Sequence, residues 1–345
     1  MQHNDFKHTG LSFTQDSIID EDTISFWNDF SDAAGTVVCY TSGSTGIPKK
    51  LEVEKSAMLY SARNTVNFFR LNKDSTGLHC LPSRYIAGRM MLVRAYVSGM
   101  GLHIVEPSLN PLKTIKKESF DFAAFTPPQV VEILSDEKTA ELFSRIRYVI
   151  IGGAAIEPEL EKRLMSFTNH IFATYGMTET VSHIALRKLG EPFYQKISDQ
   201  TRIGVDDENC LWIEDRNLTE GRLQTNDVVD LLDKGRFVWL GRRDFVINSG
   251  GVKLHPEQIE NKIRTLEKWS VFNLFITKTA DDKFGERPLL VLEEMQRKPN
   301  LDELMQVLTK LEMPKEVLFL PQFIYTENGK LNRTETIKLL GINEK

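Results

Sequence analysis

Cysteine is scarce in this chain: 345 residues carry three, Cys39, Cys80 and Cys210. They are far apart and odd in number, which excludes a disulfide framework, and none has the short spacing of a metal site. The seven histidines are scattered, and none stands at ligand spacing from a cysteine or a second histidine, so a structural zinc is not expected. Long apolar runs are missing, and none approaches the ~20 residues of a membrane span. Met1-Gln-His-Asn-Asp-Phe6 lacks the basic and apolar stretches of a secretory signal. A reducing cytoplasm is the compartment these absences fit. Charge of one sign is lacking as well. Lysine and arginine total 43 against 48 acidic residues, a net charge of −5, with the basic residues spread along the chain. That argues against a general nucleic-acid surface.

The hydrophobic fraction, 41%, is ordinary for a globular protein, and the length suits two domains or one large one. From about residue 36 to 175, strand-like and helix-like segments alternate. Residues 37–40, 78–81, 102–105, 120–125, 147–151 and 171–175 read as strands. Residues 55–71, 88–97, 129–134 and 157–167 read as helices, and Asn110-Pro111 is a good helix start. Such alternation predicts a parallel sheet covered by helices on both faces. Residues 201–240 are short and β-rich, with Asp233-Lys-Gly-Arg236 as a hairpin turn, and predict an attached antiparallel subdomain. A shorter α+β region follows: helices at 256–266, 301–311 and 334–340, and strands at 271–277 and 289–292. The boundary is placed at residue 242. The first thirty-odd residues are polar with weak periodicity and read as a loosely packed arm.

Six constellations could carry chemistry. The segment Tyr40-Thr-Ser-Gly-Ser-Thr-Gly-Ile-Pro-Lys-Lys50 packs four Ser/Thr hydroxyls and two glycines ahead of two lysines. Hydroxyls and free backbone N–H groups donate to a polyphosphate, glycines admit it closely, and a lysine adds charge. It does not have the Walker A spacing. Tyr175-Gly-Met-Thr-Glu179 follows a strand, where open α/β sheets bind ligands. Its aromatic can stack on a base, and its glutamate can hold a magnesium ion through one carboxylate. Gly152-Gly-Ala-Ala155 permits close approach of a flat ring. Thr225-Asn-Asp227 offers a carboxylate to the two hydroxyls of a ribose. Gly241-Arg-Arg-Asp244 with Asn248-Ser-Gly-Gly251, and the distal Gly329-Lys330, complete the set. Each of these alone reads equally well as a turn, a linker or a solvated charge.

Their order resembles that of the AMP-forming adenylate ligases, the superfamily of acyl-CoA synthetases, peptide-synthetase adenylation domains and luciferases. The resemblance runs from about Thr36 to Arg333. It implies an α/β fold: a large N-terminal domain of parallel sheet with helices plus a small antiparallel β subdomain, then a mobile α+β C-terminal domain. The domains would be 1–241, binding ATP and the acid, and 242–345, carrying the catalytic lysine. ATP, Mg2+ and coenzyme A are the implied cofactor and co-substrates. Thr41, Ser42, Ser44, Thr45 and Lys49 would wrap the β- and γ-phosphates. Gly152, Gly153, Ala154, Tyr175 and Gly176 would line the adenine. Thr178 and Glu179 would contact phosphate and metal, and Asp227 and Arg242 the ribose. Asp244 matches the hinge position. Lys330 matches the lysine that reaches the α-phosphate and the carboxylate. Gly250 and Gly251 would help form the tunnel for the CoA thiol.

Four departures mark this sequence. The phosphate loop begins near residue 40, so a shortened N-terminal subdomain is expected. Asn226 stands where the family has glycine, no Pro-Arg-Thr precedes Gly329-Lys330, and Tyr85 stands where many members gate the acyl pocket with histidine or another aromatic. Within the superfamily, Tyr175-Gly-Met-Thr-Glu-Thr-Val-Ser-His183 and Ile151-Gly-Gly-Ala-Ala-Ile156 most resemble the o-succinylbenzoate–CoA ligases of menaquinone biosynthesis. That acid keeps a second carboxylate, which needs a cation or several donors. Tyr85, Arg94, Ser182 and His183 are the expected acid-binding residues, with a surface position for Arg94 as the alternative. A CoA ligase for another aryl or fatty acid, an adenylation protein that loads a carrier domain, and a non-catalytic binder with the same fold stay open. So does a homodimer.

Overall fold

The computed structural model describes residues 10–14, 16–41, 49–117, 119–294, 299–325 and 331–341, without the side chains of Tyr40, Thr41 and Lys49. Twelve strands form one sheet, in the order Ser12–Phe13, Gly101–Ile104, Thr76–His79, Phe120–Phe125, Ile146–Ile151, His170–Gly176, His183–Lys188, Tyr194–Lys196, Arg236–Arg242, Arg222–Leu231, Cys210–Glu214, Arg202–Val205. The first six are parallel to their neighbours. From His183 onward the pairing is antiparallel. The antiparallel region thus continues the parallel one, through hydrogen bonds between His170–Gly176 and His183–Lys188.

Alternation along Phe120–Phe125 explains why both faces of the parallel half are covered. Phe122 and Ala124 pack with Met58, Ala62, Val66 and Phe69 of the Lys55–Phe69 helix. Ala123 and Phe125 face the other way, onto Val130, Ile133, Phe143 and Leu160. Successive strand residues point to opposite faces, so one six-residue strand seeds two cores. The Pro127–Leu134 helix is started by a capping box. The Thr126 hydroxyl accepts from the Gln129 N–H, and the Gln129 side chain accepts from Thr126.

Three expectations need correction. The described part of the N-terminal segment is not a loose arm. Asp20 caps a helix, Glu21–Ser31, by accepting from the Thr23 N–H at 2.7 Å. Phe26, Trp27 and Phe30 on it are buried and form an aromatic cluster with Tyr96. Each such ring contributes roughly 1.5–3 kcal/mol of burial, enough to anchor eleven otherwise polar residues. The strand before the phosphate loop also differs from expectation. Thr36–Thr41 pairs with Lys49–Glu54 as a separate two-stranded hairpin, outside the main sheet. The predicted helix over 301–311 is a short 3-10 helix, Leu301–Gln306, because only Leu304 and Leu308 of that stretch are buried.

The main sheet ends at Arg242, and the next strand, Ile247–Ser249, belongs to a second sheet. That sheet, with the Pro256–Arg264 helix, has its own core around Ile259, Ile263, Trp269, Phe272 and Leu290. The helix docks back on the main sheet. The Gln258 amide donates to the carbonyls of Trp239 and Leu240 at 3.2 and 3.0 Å, and Arg264 pairs with Glu157 at 2.8 Å. Gly241 has φ +156°, a backbone that suits glycine, and a Cβ there would fall 2.3 Å from a Glu257 oxygen, which would have to shift. No described helix is long and apolar enough to cross a membrane.

Candidate active site

Three groups of expected residues converge along the C-terminal edge of the parallel strands. The first surrounds Asp227. Its carboxylate accepts from the Tyr175 hydroxyl at 2.7 Å and from the Trp239 indole at 3.3 Å, and lies 3.6 Å from the Arg242 guanidinium. Strand parity alone would put Trp239 and Arg242 on opposite faces. Pairing runs Asp227 to Arg242, Val228 to Gly241, then Val229 to Trp239, leaving Leu240 unpaired. This bulge turns both side chains toward one carboxylate. The Thr-x-Asp motif has a local cause: the Thr225 hydroxyl donates to Leu211 O at 2.7 Å and accepts from the Asp227 N–H at 3.1 Å. Burial, and then the neighbouring Asp227 charge, push the Tyr175 phenol well above its ordinary pKa, so it stays a donor.

The second group is the pair of turns after neighbouring strands. Gly152 bonds back to Phe125 O at 3.0 Å, and a Cβ on it would meet the Thr174 hydroxyl at 2.3 Å. Gly153 has φ +89° and, like Ala154, is exposed. Across the edge, Thr178 is half-buried and Glu179 exposed. A Cβ on Gly176 would fall 2.3 Å from Ser182 O. Small residues therefore keep both turns open.

The third group is buried. Arg94, on the Ile86–Ser98 helix, is 2% exposed, which rules out the surface position. It donates to the Ser182 hydroxyl at 2.8 Å, its Nε is buried without a partner, and no carboxylate pairs with it among the described residues. Ser182 lies 3.4 Å from His183 Nδ1, and His183 Nε2 lies 3.2 Å from the Thr65 hydroxyl. Burial lowers the Arg94 pKa to about 10, so it is still a cation at neutral pH. Burial, and then the Arg94 charge, hold His183 well below the usual histidine range, so it is neutral.

Tyr85 is not part of this cluster. It stands at the residue before the helix that carries Arg94, without a capping side-chain bond, nine residues away or roughly 13 Å of helix rise, with the Arg84 guanidinium 5.1 Å from its ring. Arg89, between them, is a strut. It donates to Ser83 O at 2.8 Å and to Val38 O, tying this turn to the strand that enters the phosphate loop. Behind the turn lies a buried chain: His79 Nε2 is 3.0 Å from the Ser83 hydroxyl, itself 2.8 Å from Thr23 Oγ1. Burial holds His79 at a pKa of about 4, against 6.5 in the unfolded chain. The unfolded chain thus gains its proton first on acidification. The stabilisation is complete above pH ~6.5 and falls by about 3 kcal/mol as pH drops to about 4. Urea unfolding should show this loss between pH 7 and pH 4.5, and His79→Gln should flatten it; an unchanged pH slope in the variant contradicts the assignment.

Ser42, Ser44, Thr45 and Lys330 lie outside the described residues, as do the side chains of Thr41 and Lys49. Residues 20–209, more than half of the chain, match the sequence profile of the family described as AMP-binding enzyme. The chain belongs to the AMP-binding enzyme family. A solved acyl-CoA synthetase (AMP-forming)/AMP-acid ligase II-like protein from Dyadobacter fermentans is 32% identical, with a TM-score of 0.64 over 94% of this chain and 96% of that one. The o-succinylbenzoate coenzyme A synthetase of Bacillus subtilis, solved with ATP and magnesium ion, shares the fold at a TM-score of 0.74, with 20% identity over 87% of this chain and 69% of that one. Among curated relatives, the 2-succinylbenzoate–CoA ligase of Staphylococcus epidermidis is 24% identical over 89% of this chain and 70% of its own length. That of Escherichia coli K12 is 26% identical over 85% and 66%.

The Bacillus subtilis neighbour was solved with ATP and magnesium ion, and the donor set of this chain fits that ion. No group of three or more His, Cys, Asp or Glu converges among the described residues. Glu179 is exposed, and none of the described residues bonds its carboxylate. One free carboxylate beside a phosphate site is how Mg2+ is usually held, with waters and phosphate oxygens completing its shell. The bound ion would neutralise charge developing on the phosphates. Asp244 sits in a 3-10 turn between the two sheets, 3.4 Å from Arg242 and accepting from Asn226 at 3.3 Å. Gly250 and Gly251, at φ +58° and +83°, form the tip of the hairpin that follows. Trp239, Thr65 and Glu257, whose carboxylate accepts from the Arg242 N–H at 3.2 Å, are site residues that sequence reasoning missed.

Proposed function

We propose that this enzyme is an acid–CoA ligase whose acid is o-succinylbenzoate, acting in menaquinone biosynthesis. The observation that carries the reading is Arg94: a fully buried cation with a free donor and no carboxylate partner among the described residues. An unpaired buried charge is costly unless an anion joins it. The carboxylate that o-succinylbenzoate does not activate would supply that anion, held by Arg94 and Ser182, while neutral His183 adds no competing charge. The names of the curated relatives support the same acid.

Adenine would lie against Gly152 to Ala154 and Tyr175, with the ribose hydroxyls on Asp227 beside Arg242. Thr41 to Lys49 would hold the triphosphate. The succinyl carboxylate oxygen then bonds to the α-phosphorus, the bond to the β-phosphate oxygen breaks, and pyrophosphate leaves. Lys330 would stabilise the charge shared by the two anions as they meet. In the second step the small domain, residues 242–345, would turn about Asp244, bringing Gly250 and Gly251 to the site. The CoA sulfur bonds to the acyl carbon, the bond to the AMP oxygen breaks, and AMP leaves.

The test is pyrophosphate release across a panel of aryl, keto and fatty acids, followed by addition of CoA. Release confined to o-succinylbenzoate, with thioester formed on adding CoA, is the expected result. Preference for another acid removes the menaquinone role, and adenylate that reacts with a carrier domain but not with CoA removes the CoA ligase. Asp227→Asn should raise the KM for ATP by about tenfold, because the amide keeps an acceptor for Tyr175 but loses the anion the ribose needs. An unchanged KM in ATP-dependent pyrophosphate release contradicts the ribose assignment.

A further inference from the structure

Val181 has φ +66° and ψ −52°, and the Ser182 N–H donates to Thr180 O at 2.7 Å. This closes a γ-turn of the strained hand, rare for any L-residue and a true outlier for a β-branched one. Such a conformation persists only where the surroundings over-determine it. The surroundings here centre on Thr180, which is 0% exposed. Its hydroxyl accepts from the Met177 N–H at 3.0 Å and shares its proton between the carbonyls of Met177, 3.0 Å, and Ser182, 2.8 Å. On the far side, the Ser182 hydroxyl takes the Arg94 bond at 2.8 Å. The turn thus joins Glu179, on the phosphate side, to Ser182, in the acid pocket.

We infer that Thr180 is a positioning residue: its hydroxyl holds the strained turn at Val181, and that turn sets Ser182 against Arg94 while Glu179 faces the phosphates. Thr180 touches no substrate. The functional half of this inference rests on reading Arg94 and Ser182 as the acid pocket.

Two measurements test it. The first concerns the strain alone and needs no activity. At an ordinary backbone position Ala is more stabilising than Gly, but at a φ near +66° the order inverts. Val181→Gly should therefore have a higher Tm than Val181→Ala, two variants that both lose the buried isopropyl group. An equal or lower Tm overturns the inference. The second is kinetic. Thr180→Val should raise the KM for the acid by about tenfold with the KM for ATP within about twofold, while Thr180→Ser stays near wild type. Adding Val181→Gly to Thr180→Val should recover most of the loss, because a glycine turn needs no clamp; adding Val181→Ala should not. A double variant no better than Thr180→Val, or an unchanged acid KM in Thr180→Val, overturns the positioning role. Should wild type activate no acid at all, the proposed function fails, and the Tm comparison still decides the strained turn.

Discussion

Replacing Arg94 with alanine is expected to raise the KM for o-succinylbenzoate, the proposed acid, by about 100-fold, corresponding to ~3 kcal/mol for a buried charge-assisted hydrogen bond. The KM for ATP stays within about twofold of wild type, because Asp227, Arg242 and Tyr175 form a separate cluster. The size follows from burial. A surface arginine would contribute less than 1 kcal/mol, whereas Arg94 is 2% exposed and has no described carboxylate to share its charge. Arg94→Lys separates charge from geometry. A lysine keeps a cation but cannot both hold Ser182 and offer a second donor in the same plane, so an intermediate loss of about tenfold is expected. Arg94→Met, matched in size, should behave as the alanine variant does and separates lost charge from a cavity. Steady-state kinetics with o-succinylbenzoate varied at saturating ATP read all three. An unchanged KM in Arg94→Ala, with the fold intact, removes the acid pocket from this position.

Replacing Lys330 with alanine is expected to slow formation of the acyl-adenylate by about 10³-fold and to leave thioester formation from supplied acyl-adenylate within a few-fold of wild type. The magnitude is that of losing one group aimed at transition-state charge. Both reactants are anionic, and adenylation is the step in which a phosphate oxygen cluster and a carboxylate are forced together. Thiolysis sets a sulfur against a neutral carbonyl and does not need the same cation. Lys330 lies outside the described residues, but its flanks do not. Tyr325 and Leu331 form a β-bridge that closes the segment between them. Arg333 is held on Glu260 and beneath the Phe245 and Phe275 rings, at 5.3 and 5.8 Å from their centroids. These anchors tie the residue three positions after the lysine to Glu260, Phe245 and Phe275, so a turn of residues 242–345 between steps, as proposed, would carry that flank with it. Pyrophosphate exchange and single-turnover thiolysis measure the two steps separately. Equal losses in both would mean that Lys330 serves the fold and not adenylation.

The parallel half of the sheet was legible because each strand there is a short apolar run bounded by a turn or a helix cap, as at Thr126 and Asn110. The Glu21–Ser31 helix was not, since its aromatic face is interrupted by acidic residues that a weak periodicity reading takes for a solvated segment. The strand Lys49–Glu54 was missed, its first two residues taken into the loop and the rest given no element, though Leu51 and Val53 alternate as a strand does. Motif order grouped Tyr175, Asp227 and Arg242, and these three side chains do lie together, but Trp239 could not be found that way. The bulge at Leu240 inverts its face, and period-two counting cannot register an unpaired residue. The Thr65 contact to His183 spans 118 positions with no pattern linking them. The burial of Arg94 left a trace that was readable: apart from Arg94 itself the run from Met90 to Ala95 is apolar, all of it is buried, and a helix apolar all round is an interior one.

The most direct test is a rapid-quench experiment on the whole chain with ATP, Mg2+ and o-succinylbenzoate, its products identified by mass. The expected result is o-succinylbenzoyl-AMP and pyrophosphate in equal amounts, converted to o-succinylbenzoyl-CoA and AMP when CoA is added. Formation of ADP and phosphate, or no nucleotide turnover with this acid while another acid yields its adenylate, would contradict the account.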